Sequence, residues 1–111
     1  MAESASTIDH QLKSAMRKGD ATRVSTLRML KSAVKNAEIE ARHALSEPEF
    51  QKVVAREVKK RKEAAEQYAQ AGDTTRRDQE LKEAKILRVF LPEQMSEEQV
   101  RSIVKDEIAA T

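Results

Sequence analysis

Apolar positions recur along this chain at steps of three and four residues, the spacing of one face of an α-helix. Ile8, Leu12, Ala15 and Met16 define a first helix. Ser6 or Thr7 is its expected N-cap and Gly19 its stop. A second helix is expected from Asp20 to about Ala44, with Leu27, Leu30, Val34, Ala37 and Ala41 on one side. Ser46-Glu47-Pro48-Glu49 has the form of a capping box with Pro in the first turn. It opens a third helix that carries Phe50, Val54, Val58, Ala65 and Tyr68 inward and stops before Gly72. A fourth, from about Thr74 to Phe90, starts polar and ends in an apolar segment over 86–91. That segment is apolar nearly all round, which predicts cover from more than one side. Pro92 lies at or just past its end.

Ser96-Glu97-Glu98-Gln99 is a second capping box. It opens a fifth helix with the stripe Val100, Ile103, Val104 and Ile108, too short to stand alone in water. The reading is all-α: a small helical bundle of four helices over residues 1–91, then a fifth short helix that starts an incomplete module over 92–111. No internal repeat or long linker stands out.

Composition sharpens this picture. With 2 Gly and 2 Pro the chain lacks the turn residues that a sheet of short strands needs. The absence of Cys excludes disulfides, thiol nucleophiles and thiolate metal sites. No apolar run approaches a membrane span or a signal-peptide core, so a cytoplasmic protein with no membrane partner is expected.

The net charge of +2 hides an asymmetry. Residues 1–62 hold 14 Lys and Arg against 8 Asp and Glu; residues 63–111 hold 7 against 11. On the second helix Arg28, Lys31, Lys35 and Arg42 gather on one flank, within about a 60° arc beside the apolar stripe. Such a row can follow successive phosphates along a nucleic-acid strand. The alternative is a solvated face whose long stems cover apolar neighbours. On the third helix Lys52, Arg56 and Lys59 share an outer face and extend the candidate nucleic-acid surface. The run Lys59-Lys60-Arg61-Lys62 cannot form one patch, because consecutive helical residues fan around the axis.

Arg61 instead points to the centre of the apolar face, and Glu57 lies one turn earlier on the same side. The two are expected to form a structural ion pair. Few aromatics are available to stack bases, so contact with RNA should be directed at the backbone and sensitive to salt.

No catalytic group is evident. There is no Gly-rich phosphate loop and no Gly-x-Ser-x-Gly arrangement. His10 and His43 sit near helix ends; His43 and Glu47 are a nominal metal pair separated by a helix start, and neither a metal nor another cofactor is expected.

Four segments in order resemble the YqeY family: Ser25-Thr26-Leu27-Arg28-Met29-Leu30-Lys31-Ser32-Ala33, Arg56-Glu57-Val58-Lys59-Lys60-Arg61-Lys62, Gln67-Tyr68-Ala69-Gln70-Ala71-Gly72 and Leu91-Pro92-Glu93-Gln94-Met95-Ser96-Glu97-Glu98. That family is related to the C-terminal tail of the B subunit of the tRNA-dependent amidotransferase, a carbon–nitrogen ligase system with glutamine as amido donor. The resemblance implies a helical domain, a second helical module after the Leu91-Pro92 junction, and a bias towards tRNA. Family members usually continue past the position of Thr111, so most of the second module is expected to be missing.

The resemblance also implies a glutamine-dependent amidotransferase in its own right, for which the chain lacks the groups, and two other functions follow as expectations. One is an amidotransferase-related accessory protein that binds the tRNA backbone and is not catalytic alone. The other is a protein-interaction module in which the Val100, Ile103, Val104 and Ile108 stripe captures a second copy or a larger protein.

Overall fold

The computed structural model describes residues 2–92, with side chains from Thr7 onward. All regular structure in these residues is helical: α1 (Ala2–Lys18), α2 (Ala21–Ala41), α3 (Glu47–Gln70) and α4 (Thr74–Arg88). The fold class is all-α. The fifth helix, its apolar stripe and the module over 92–111 lie outside the described residues. The chain divides into two compact units, Met1–Val53 and Val54–Thr111.

In the first unit α1 packs against α2. Ile8 and Ala15 of α1 and Leu27, Leu30 and Val34 of α2 are buried, as are Leu45 and Phe50 further along. Removing a large apolar side chain of this kind from water is worth roughly 1.5–3 kcal/mol. Thr26 joins this core because its hydroxyl donates to the Thr22 carbonyl at 2.8 Å, so its polar group is paired. Lys31 reaches back from α2 to the Asp9 carboxylate on α1 at 2.7 Å.

Several expected boundaries shift. α1 begins at Ala2, upstream of Ser6 and Thr7. The preference of these residues for caps is a local bias that a continuing helix overrides. Met16 is 53% exposed, on the edge of the expected face. α2 ends at Ala41 because Arg42 turns into the left-handed region, φ 62°, with its N–H donating to the Glu38 carbonyl. The Glu38 carboxylate then accepts from the Leu45 N–H at 3.2 Å and pins the link to α3. Ser46 and Glu49 cap α3 reciprocally: the Ser46 N–H donates to Glu49 Oε1 at 2.8 Å and the Glu49 N–H to Ser46 Oγ at 3.3 Å.

In the second unit Val54, Ala55, Val58 and Ala65 of α3 and Ala84, Ile86 and Leu87 of α4 are buried, with Leu91 beyond the helix. Cover of the segment 86–91 is incomplete, since Val89 is 60% exposed.

One repeat is too short and too polar for the apolar pattern to reveal. Gly19-Asp20-Ala21-Thr22-Arg23 and Gly72-Asp73-Thr74-Thr75-Arg76 share the form G-D-x-T-R, and each unit contains one. The two build the same corner. Gly19 and Gly72 take φ of +68° and +77°, a region that costs a side chain free energy. Asp20 and Asp73 donate their N–H groups to the Ala15 and Tyr68 carbonyls at 3.0 and 2.9 Å, while each glycine N–H bonds the next carbonyl, giving two Schellman closures. Each Asp then caps the following helix through the N–H of Arg23 or Arg76. Their backbone angles agree closely, φ/ψ −83°/86° and −92°/81°.

Candidate nucleic-acid interface

Why α2 presents cations outward follows from its register. With Leu27, Leu30 and Val34 turned inward, Arg28, Ser32 and Lys35 fall on the opposite, more open side. Between Asp20 and Glu38 the helix carries no carboxylate at all. Among the described residues Arg28 and Lys35 have no ion-pair partner. Lys31 differs: its ammonium is held by Asp9, with both groups about half exposed. Arg42 departs from the row more fully. It lies past the last helical residue as a left-handed C-cap, so it does not continue the helical spacing from Arg28 through Lys35.

On α3, Arg56 is exposed, while Lys52 and Lys59 are half-buried. Lys59 also lies 3.8 Å from Glu63 one turn on. This face is therefore a weaker source of available positive charge than that of α2.

Glu57 and Arg61 are both buried, 8% and 6% exposed. The Arg61 guanidinium donates to Glu57 Oε1 at 2.9 Å and to the Glu57 carbonyl at 3.1 Å. It also approaches Glu83 of α4 at 3.5 Å, and Lys60 flanks Glu57 at 3.5 Å. Nearby, Glu80 has a buried carboxylate oxygen with no hydrogen-bond partner. Burial pushes the Glu80 carboxyl above the ordinary carboxylate range, Glu83 adds to the rise, and Arg61 opposes it. Glu80 and Glu83 escape the helix-wheel reading of the sequence. The repeated corner carries the signal that finds them: counted from the glycines, Arg61, Glu80 and Glu83 occupy the positions of Ile8, Leu27 and Leu30. A charged layer in the second hairpin replaces an apolar layer in the first.

His43 Nε2 stands 3.6 Å from the Glu49 carboxylate, and its Nδ1 lies 2.7 Å from the Ala44 carbonyl oxygen. Among the described residues no cluster of His, Cys, Asp or Glu could hold a metal, and no helix is long and apolar enough to cross a membrane.

These features define an all-α, charge-rich chain of two helical hairpins with a basic exposed helix face. The YqeY-like protein family model matches residues 5–111, and the chain belongs to that family. No curated protein matches it.

Proposed function

We propose that the chain is a YqeY-like accessory protein of the tRNA-dependent amidotransferase system that binds the tRNA backbone and performs no amide transfer alone. The observation that carries this reading is the outer face of α2, where Arg28 and Lys35 stand exposed and unpaired among the described residues on a stretch without carboxylates. Cations two helical turns apart match a row of phosphates and carry no base code. Ser25, Ser32 and Asn36 on the same exposed side add neutral hydrogen-bonding groups for phosphate or ribose oxygens. Lys31 joins them by exchanging its exposed Asp9 partner for a phosphate, a small cost for a surface ion pair.

Titrating bulk tRNA against the chain at several salt concentrations tests this. Affinity should fall steeply with salt. The Arg28→Glu/Lys35→Glu variant should bind weakly, with a slope shallower by about one for each phosphate no longer neutralised. Absence of binding at low salt, or equal binding by a folded variant, refutes the proposal. Attention would then pass to a protein partner of the Val100, Ile103, Val104 and Ile108 stripe.

A further inference from the structure

The two corners are alike in backbone and differ in what fills them. In the second hairpin the residue whose carbonyl closes the Schellman motif is Tyr68, and Arg76 lies over its ring, 6.0 Å from the centroid. In the first hairpin the same position is Ala15 and the matching arginine is Arg23. A cleft of about 410 Å³ opens there, lined by Gln11, Ser14, Ala15, Lys18, Asp20 and Arg23 among others. The second hairpin thus supplies from its own chain a flat aromatic ring that the first lacks.

The polar groups of the cleft are arranged for a ligand with a ring and an anion. Among the described residues that line it Asp20 is the one carboxylate, and both oxygens are engaged by Arg23: Oδ1 by the backbone N–H at 3.1 Å and Oδ2 by Nε at 3.3 Å. That contact orients the guanidinium and offsets the negative charge, leaving the terminal amino groups of the fork. Lys18 adds a cation, and Ser14 and Gln11 add neutral donors and acceptors on the same side of α1. Guanidinium planes stack readily on nucleobases. We infer that this cleft seats one nucleotide, its base flat against Arg23 as Tyr68 lies beneath Arg76, and its phosphate on the Lys18 side. The ligand class rests on the RNA reading above. The site itself does not, because Arg23 lies on the inward side of α2, away from Arg28 and Lys35.

The test is a titration of the full chain with AMP, followed by amide and Arg Nε–H NMR signals, with inorganic phosphate as the control and oligoadenylate as the strand. AMP should produce saturable shifts at Gln11, Ser14, Ala15, Lys18 and Arg23. The Arg23 Nε–H should also show a ring-current shift that inorganic phosphate cannot produce. Ala15→Tyr copies the second hairpin at a buried position, so circular dichroism first checks that it folds, and a folded variant should block the cleft. Arg23→Gln retains the backbone cap and should weaken AMP by about tenfold, the scale of one base-stacking interaction; it serves if Ala15→Tyr does not fold. Tighter binding of oligoadenylate than AMP identifies a strand as the occupant, and equal binding a free nucleotide; either supports the site. Unshifted cleft residues, the same pattern with inorganic phosphate, or unchanged AMP binding by a folded blocking variant overturns it. The two proposals fail separately: AMP shifts in a parent chain that binds no tRNA at low salt sink the RNA reading alone, whereas an Arg28→Glu/Lys35→Glu variant that loses tRNA and keeps its AMP shifts supports both. Unshifted cleft residues beside intact tRNA binding sink the nucleotide site alone.

Discussion

Replacing Arg61 by Ile should be among the most damaging single changes in the second unit. Its guanidinium, only 7% exposed at the side chain, holds Glu57 at 2.9 Å and Glu83 at 3.5 Å, whose side chains are 11% and 18% exposed. Truncating one partner of a fully buried pair costs about 3–5 kcal/mol, because the other charge stays behind without compensation. Here Lys60 still flanks Glu57, and both carboxylates keep some access to water. The lower end applies, about 3 kcal/mol. For a chain of this size that lowers Tm by roughly 10–20 °C.

The repeated corner provides the compensating variant. Arg61→Ile/Glu80→Leu/Glu83→Leu gives the second hairpin the same three apolar residues that the first has at Ile8, Leu27 and Leu30. Well-packed apolar residues often match or exceed a buried ion cluster in stability. The triple variant should therefore recover the part of the loss that comes from Glu80 and Glu83, while Glu57 keeps only Lys60 and its share of the cost remains. Urea unfolding followed by far-UV circular dichroism measures both, with the m-value checking that the transition remains cooperative. A loss below about 1 kcal/mol for Arg61→Ile refutes the burial argument. A triple variant no better than the single one refutes the equivalence of the two layers.

Three further outcomes follow from particular groups. Glu80→Gln should raise stability at neutral pH and remove the parent's gain on mild acidification; the raised carboxyl favours the folded state below its ordinary value of 4.5 and loses that contribution as pH rises through the folded value. Thermal melts across a pH series show the sign directly, and a Glu80→Gln chain that still gains stability on acidification assigns that gain to another group. Ser46→Ala should return the Glu49 carboxyl towards its ordinary range, since the Ser46 backbone N–H first and its side chain second hold it low; a carboxyl-carbon NMR titration reads this, and an unchanged value would mean the side-chain contribution is negligible. Arg42→Gly should stabilise by about 0.5–1 kcal/mol, because glycine relieves the left-handed conformation at φ 62°, and a chain less stable in urea would show that the Arg42 side chain contributes more than its backbone costs.

The helices are legible in the sequence because their stops and starts are local chemistry. Gly19, Gly72 and Pro48 act through their own backbone and the Ser46/Glu49 box through side-chain oxygens on neighbouring N–H groups, and each is visible in a few consecutive residues. Boundaries slip where local preference meets continuing structure, as at Ser6 and Thr7, or where a residue adopts a conformation its type disfavours, as at Arg42. Site residues are harder for the same reason. The basic row on α2 follows from the helix wheel, but the Asp9 partner of Lys31 comes from another helix and has no sequence spacing to announce it. Glu80 and Glu83 belong to a polar helix start, where charged residues are ordinarily solvated, and only the register counted from Gly72 places them in a layer.

The same count explains why one chain can contain two corners with different roles. Similar backbone angles at Asp20 and Asp73 set how each helix leaves its predecessor, so the main differences between the hairpins arise in the side chains that fill the angle. Where the first hairpin has an apolar layer, the Lys31–Asp9 ion pair between its helices is about half exposed and not buried, and its corner is left open beside Ala15. Where the second has a charged layer, its corner is closed by Tyr68 and Arg76. The open corner and the exposed cations of α2 thus sit on the hairpin whose core demands least from charge. Charge reversal there can be read as a binding effect, whereas the same change near Arg61 would first unsettle the fold.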